Sequence, residues 1–156
     1  MSDYITCLVI DDQNDVLLLR HYRHAAGEYV LEIVGGIVDP EDDSPKTTAI
    51  REIREELGYS GGHMYQTGTY YVNPANHTNN MHCFIAVGGG CRQAQSLQAG
   101  ENLQVEKMPF RQFAERITAG EFGDIRQSLH LSSIFLAFTF IRHSDDPQLQ
   151  ELRRFL

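Results

Sequence analysis

The sequence from Glu32 to Tyr59 reads EIVGGIVDPEDDSPKTTAIREIREELGY, and it is the most informative stretch of the chain. Ser44 followed by Pro45 is typical of a helix start, because a serine hydroxyl caps free backbone N–H groups and proline suits the first helical position. Gly58 is typical of the residue that ends a helix. The pattern therefore predicts a helix from Pro45 to Leu57. Its buried stripe is predicted to comprise Ile50, Ile53 and Leu57.

Three glutamates, Glu52, Glu55 and Glu56, lie at helical spacing near the end of this helix. Like charges at this spacing repel by a few tenths of a kcal/mol per pair, and the last helical turn disfavours a carboxylate by about 0.3–1 kcal/mol. Arg51 and Arg54 can offset part of the charge. Because Mg2+ is held by a few carboxylates together with substrate phosphates, the cluster predicts a site for Mg2+, with Mn2+ as the alternative. The competing interpretation is a solvated helix face.

An apolar run and two glycines precede the helix. The run from Tyr29 to Val34 predicts a strand, and Gly35 and Gly36 let a backbone turn tightly or approach a ligand closely. An acidic loop then leads to the capped helix. We expect the strand, the glycine loop and the helix to form one unit.

The segment from Gly36 to Tyr59 resembles the signature of the Nudix hydrolases, enzymes that cleave nucleoside diphosphates linked to another group. The residues from Arg51 onward fit the family pattern. The loop between Gly36 and Arg51 is one residue longer than the pattern, and an aspartate, Asp42 or Asp43, stands where glutamate is usual. The resemblance implies that Glu52, Glu55, Glu56 and the carbonyl of Gly35 hold the metal.

The resemblance also implies an α/β (α+β) fold, with a mixed β-sheet sandwiched between α-helices. Apolar and alternating runs predict strands at residues 5–10, 16–23, 29–34, 64–72, 81–87 and 103–107, with a connection at Gly88–Gly90. Helices are predicted at 110–119, 125–143 and 148–156. We expect a single domain over residues 1–156.

Composition narrows the classes of partner. A net charge of -8 argues against nonspecific binding to nucleic acid, which depends on lysine and arginine. The start of the chain lacks a basic region followed by a long apolar one, and the three cysteines lack metal-ligand spacing, so we expect a cytoplasmic protein with reduced thiols. The apolar run at 132–141 is too short for a bilayer, which needs about 20 residues.

Residues outside the signature are similar to the branch that acts on ADP-ribose and nucleoside diphosphate sugars. In LLLRHYR, at 17–23, the resemblance implies that Arg23 reaches a substrate phosphate, with Glu32 near the substrate; the alternative is a surface arginine on an edge strand. Pro74 stands where a proline often marks ADP-ribose hydrolases, and it also suits an ordinary turn. The branch often has a glutamate where Asn79 stands. Substrate-binding candidates are thus Arg23, Glu32, Arg51, Pro74 and Asn79.

The stretch 99–102, AGEN, is similar to a Gly-Glu segment in which the glutamate acts in catalysis. Glu101 and Glu56 therefore compete for the role of general base, and an exposed loop carboxylate is the alternative for Glu101.

We expect Mg2+-dependent hydrolysis of ADP-ribose to AMP and ribose 5-phosphate. Another nucleotide sugar such as GDP-mannose, or nucleotide sensing without cleavage, is the alternative. The family that the sequence resembles includes enzymes that pair and build the site from both chains, so the apolar helix from Ile125 to Ile141 suggests a homodimer.

Overall fold

The computed structural model describes residues 1–91, 93–97 and 102–156. Within these residues the chain forms eight strands and four helices. The strands are β1 (Tyr4–Asp11), β2 (Asp15–Arg23), β3 (Glu28–Glu32), β4 (Val34–Ile37), β5 (Tyr59–Ser60), β6 (His63–Tyr71), β7 (Asn80–Cys91) and β8 (Leu103–Pro109). The helices are α1 (Pro45–Leu57), α2 (Phe110–Thr118), α3 (Ser128–His143) and α4 (Pro147–Arg153).

The sheet is mixed and it forks. Along one edge β1 pairs in parallel with β7, and along the other it pairs antiparallel first with β4, through residues 4–7, and then with β2, through residues 9–10. Strand β2 leaves β1 after Leu17 and pairs with β3 instead. The chain crosses from β3 to β4 at Ile33, so the fork separates β2 and β3 from β1 and β4.

Helices cover both faces of the sheet. Successive side chains of a strand point to opposite faces, so alternate residues of β1 contact different helices. Side chains of Ile5, Cys7 and Val9 pack with α1, whereas Leu8 and Ile10 pack in the core that contains α2, α3 and α4. The predicted architecture, a mixed sheet between helices, is confirmed.

Helix α1 has the predicted bounds and caps. The Ser44 hydroxyl accepts a hydrogen bond from Thr47 N–H at 3.2 Å, and Gly58, in the left-handed region at φ 68°, donates to Arg54 O at 3.0 Å. The predicted buried stripe is wrong at Ile50, which is 44% exposed. Its place is taken by the small residues Thr48 and Ala49, which let the helix lie close to the sheet.

A tight turn was one of two predictions for Gly35 and Gly36, and a connection was predicted at Gly88–Gly90, but both segments lie in strands. Gly35 and Gly36 lie in β4, opposite Thr6 and Ile5 of β1, and Gly88–Gly90 continue β7 as far as Cys91. Pairing with neighbouring strands holds two of these glycines, since Gly89 lies opposite Asp11 and Gly90 lies opposite Ser60. Gly88 has a positive φ of 84° and lies where the register with β1 shifts.

The C-terminal helices differ from the predicted ones at their ends. Ile125 belongs to a turn, where its N–H donates to Phe122 O at 3.0 Å, and α3 begins only at Ser128. Helix α4 begins at Pro147 because Asp146 caps it, and it ends at Arg153. Among the described residues, the helices are all too short or too polar to cross a bilayer. The cytoplasmic location stays a prediction.

Candidate active site

A cleft of about 660 Å³ lies at the fork of the sheet. Its walls come from both arms of the fork, from α1 and from the start of α3. Seven of the residues predicted from sequence line it together: Arg23, Glu32, Gly35, Arg51, Glu52, Glu56 and Asn79.

The carboxylate of Glu52 lies against β4, and a glycine makes this approach sterically feasible. Glu52 is only 9% exposed, and a Cβ atom at Gly36 would overlap its side chain. Gly36 thus permits a close approach of the Glu52 side chain, whereas the predicted close approach to a ligand stays a prediction. Any larger residue at this position would displace Glu52.

Arg51 is surrounded by carboxylates. Its guanidinium lies 2.8 Å from Glu52, 3.0 Å from Asp42, 3.2 Å from Asp39 and 3.3 Å from Glu55. The hydrogen bond to Asp42 and the charge of Glu52 raise the pKa of Arg51 above its usual value. One cation thus faces four anions, so the patch keeps a large excess of negative charge.

The loop between β4 and α1 is anchored to α1 through Asp42. Its carboxylate accepts hydrogen bonds from the Thr48 hydroxyl at 2.8 Å and from Arg51 Nη2 at 3.0 Å. Arg51 first, and Thr48 second, hold the pKa of Asp42 below its usual range. Asp43 is exposed. Of the two aspartates that the sequence left open, Asp42 is therefore the one that contacts the helix.

The donor set of this wall suits a hard dication. Glu52 and Glu56 line the cleft one helical turn apart, beside the backbone of Gly35 and Gly36, and carboxylate and carbonyl oxygens are the ligands that Mg2+ prefers. The described residues contain no preassembled group of three acidic, histidine or cysteine ligands. Arg51 lies between Glu52 and Glu55 and pairs with both. The excess negative charge and the oxygen donors nevertheless fit the predicted ion.

Comparison with known families agrees with this geometry. Residues 3–127 match the model of the NUDIX domain. The chain belongs to the NUDIX domain family. The match includes the fork, α1 and the acidic loop, and it ends just before α3.

Similar NUDIX proteins include the GDP-mannose pyrophosphatase of Escherichia coli O1:K1 / APEC, which is 29% identical over 125 residues, 75% of this chain and 64% of the relative. The GDP-mannose pyrophosphatase of Shigella flexneri serotype 5b (strain 8401) is 28% identical over 135 residues, 77% of this chain and 66% of the relative. The chain thus spans about 64–66% of the length of these relatives.

A solved structure described as ADP compounds hydrolase has the same fold. It superimposes with a TM-score of 0.76 and 21% sequence identity, over 90% of this chain and 72% of that chain. The mixed sheet with helices on both faces is therefore a NUDIX fold.

Opposite the NUDIX helix α1, the cleft wall is formed by a buried carboxylate, Glu32, and its two basic partners. Arg23 makes two hydrogen bonds to it, Nε at 2.9 Å and Nη2 at 2.6 Å, and His21 Nδ1 lies 3.3 Å away. Glu32 is only 4% exposed, whereas the side chain of Arg23 is 46% exposed. The remaining guanidinium N–H groups of Arg23 are thus held at the rim of the cleft.

Two predicted site residues do not line the cleft, and a third lies outside the described residues. Glu55 pairs with Arg51 but does not line the cleft. Pro74 lies in the loop between β6 and β7, beside a turn in which Asn76 N–H donates to Asn73 O at 3.0 Å. Glu101 lies outside the described residues.

Three residues that the sequence analysis missed also line the cleft: Tyr4, Gln127 and His130. His130 is 3% exposed, and burial lowers its pKa to about 4, although the charge of Glu32 opposes the shift. The one signal that could have found Gln127 and His130 is their three-residue spacing at the start of an otherwise apolar helix.

The anchoring role of Asp42 predicts a pH-dependent stability. Because the folded pKa of Asp42 lies below the unfolded value of about 3.9, the ionised carboxylate stabilises the fold above that pH, and the stabilisation is lost as pH falls through the folded pKa. We expect Asp42→Asn to lower the free energy of unfolding at pH 7, and the difference from the wild type to shrink below about pH 4. Urea unfolding at several pH values measures this.

Asp43→Asn is the matched control, because it removes the same charge from the adjacent, exposed position. Equal losses of stability in the two variants at pH 7 would contradict the role of Asp42.

Proposed function

We propose that this protein hydrolyses the diphosphate bond of a nucleoside diphosphate linked to a sugar, with ADP-ribose as the first candidate and GDP-mannose as the second. One observation carries the proposal: a single cleft joins the carboxylates of Glu52 and Glu56 to the guanidinium of Arg23. Carboxylates that hold a dication, opposite a cation, suit a diphosphate. GDP-mannose is favoured by the names of the relatives.

The reaction adds water to a phosphorus atom and breaks its bond to the bridging oxygen. ADP-ribose would give AMP and ribose 5-phosphate. Glu52, Glu55, Glu56 and the carbonyl of Gly35 would hold Mg2+, or Mn2+, and a bound dication would neutralise phosphate charge and orient the diphosphate. Glu55 would reach the ion by exchanging its contact with Arg51.

Two residues are candidates for the general base that takes a proton from the attacking water. Glu56 lines the cleft on α1, and Glu101 follows from the family resemblance alone. Arg23 would bind a substrate phosphate while Glu32 fixes its guanidinium. Arg51 would act mainly by keeping the crowded carboxylates in place, since its N–H groups already contact several of them. Asn79 lies outside α1 and would contact the substrate from another wall of the cleft. Pro74 would act only by shaping the loop between β6 and β7.

A homodimer is the proposed assembly of the single domain. Tyr70, Tyr71 and Phe135 are exposed by 43%, 66% and 43%, and they line one shallow groove between β6 and α3. Three large exposed apolar side chains in one surface favour a protein contact.

The substrate proposal predicts Mg2+-dependent release of nucleoside monophosphate from ADP-ribose, GDP-mannose or both. A panel of nucleotide sugars with Mg2+, with Mn2+ and with chelator, followed by chromatography of the products, measures this. Hydrolysis of nucleoside triphosphates or dinucleoside polyphosphates in preference to every nucleotide sugar would contradict the substrate class. Binding of a nucleotide sugar without cleavage would favour a sensor instead.

The metal assignment predicts that Glu56→Gln abolishes turnover without unfolding the protein, because it removes a charge but little volume. Glu101→Gln should bind metal normally and hydrolyse more slowly. Kinetics and metal titrations of both variants measure this, with Glu115→Gln, on the exposed side of α2, as a control. Unchanged turnover in Glu56→Gln would refute the metal assignment, and unchanged turnover in Glu101→Gln would leave Glu56 as the base.

The assembly predicts that Phe135→Asp converts a dimer into a monomer, because a buried charge without a partner disfavours association. Sedimentation velocity measures the masses. Ile50→Asp places the same charge at an exposed apolar position on α1 and should leave the dimer intact. A wild type that sediments as a monomer at all concentrations would overturn the proposal.

A further inference from the structure

The two glycines of β4 face opposite helices. A Cβ atom at Gly36 would overlap Glu52 of α1, whereas a Cβ atom at Gly35 would lie 3.3 Å from Nε2 of His130 on α3. Side chains of both helices therefore touch this strand, one from each face, and both line the same cleft. Among the described strands β4 pairs with β1 alone, so the cleft extends around a free edge. One end of a bound molecule would face α1 and the other end α3.

The α3 side of the cleft has a distinct lining of four uncharged polar side chains, Tyr4, Asn79, Gln127 and His130, which we call the α3 subsite. Each carries a buried polar atom that has no hydrogen-bond partner among the described residues: Tyr4 Oη, Asn79 Oδ1, Gln127 Oε1 and His130 Nδ1. Asn79 is 6% exposed and His130 is 3% exposed. Buried polar groups are normally paired, and four exceptions that line one cleft indicate a ligand.

The chemistry of the α3 subsite selects the class of ligand group. The amide of Asn79 is oriented because its Nδ2 donates to Ser2 O at 3.1 Å, which leaves Oδ1 as an acceptor. Burial raises the pKa of Tyr4 to about 12, so its hydroxyl keeps its proton and can donate. His130 is neutral at pH 7, because burial lowers its pKa to about 4.

A phosphate would fit this lining poorly. Its oxygen atoms are acceptors, and they would oppose the carbonyl oxygens of Asn79 and Gln127. Sugar hydroxyls donate and accept at once, so they match a mixed set of neutral donors and acceptors.

We propose that the α3 subsite binds the sugar of the nucleoside diphosphate sugar by hydrogen bonds, with His130 and Tyr4 as specificity-determining residues. This inference rests on the proposed function. It adds a region beyond the NUDIX match, since His130 follows residue 127. The diphosphate would then lie toward Glu52 and Glu56, and the sugar would pass the edge of β4 beside Gly35.

The test compares two substrates that differ only in the sugar. One is the nucleotide sugar that the wild type prefers, and the other is the methyl ester of the same nucleoside diphosphate. The methyl ester keeps the nucleoside and the diphosphate bond but lacks the second sugar, which is the one proposed to occupy the α3 subsite. For His130→Phe we expect KM to rise about 10- to 100-fold with the nucleotide sugar, because a hydrogen bond is lost and a hydroxyl is left unpaired. With the methyl ester, KM should stay within about twofold of the wild type. Tyr4→Phe, which removes one hydroxyl, should give the same pattern.

Two further variants separate binding from folding. His130→Gln keeps an amide close to the position of the imidazole and should restore most of the affinity. His143→Phe makes the same substitution as His130→Phe at the exposed end of the same helix. It should leave KM unchanged with both substrates. If His130→Phe raises KM equally with both substrates, or raises it with neither, the proposal is overturned.

Failure of the proposed function can be distinguished from failure of this inference. If the wild type hydrolyses neither substrate, calorimetric binding of ADP-ribose and of GDP-mannose without metal replaces the kinetics. Weaker binding by His130→Phe, with recovery in His130→Gln, would support the α3 subsite although the hydrolase proposal has failed. Equal binding by all variants, or no binding by the wild type, would overturn it.

Discussion

The crowding of carboxylates around Arg51 is the interaction on which the rest of the site depends. Asp39 and Asp42 approach from the loop, and Glu52 and Glu55 approach from α1. A helix that ends in several glutamates is unfavourable alone, so the arrangement needs a cation and a fixed geometry. Arg51 supplies one charge, and the loop held by Asp42 supplies the geometry.

The fork of the sheet turns this local cluster into a site. Because β2 leaves β1 after Leu17 and the chain crosses at Ile33, the sheet opens beside the C-terminal half of α1. The opening brings Glu32 and Arg23 to the wall opposite Glu52. Arg23 and Glu32 belong to β2 and β3, whereas Glu52 belongs to α1, so the cleft at the fork separates a sheet wall from a helix wall.

Much of this arrangement could be predicted from the sequence, and the misses have physical causes. Local signals were sufficient for α1, since Ser44, Pro45 and Gly58 act on backbone within a few residues of themselves. They favoured a turn or a close approach to a ligand at Gly35 and a connection at Gly88–Gly90, whereas pairing with other strands places Gly35, Gly89 and Gly90 in strands. The cleft residues of the NUDIX signature were predicted through the resemblance. Tyr4, Gln127 and His130 were missed because their meaning depends on burial and on the packing of α3 against β1. The three-residue spacing of Gln127 and His130 is too weak a signal to indicate that packing.

The parallel pairing of β1 with β7 has a consequence for how the chain acquires its structure. Tyr4 lies opposite Met81, so the central pair of the sheet joins segments that are far apart in sequence. Closing a loop of that length costs about 4 kcal/mol of chain entropy beyond a constant, whereas α1 and the hairpin of β6 and β7 need only local contacts. Contacts of this kind slow folding. The edge of β1 that pairs with β7 therefore stays unpaired during synthesis until β7 emerges.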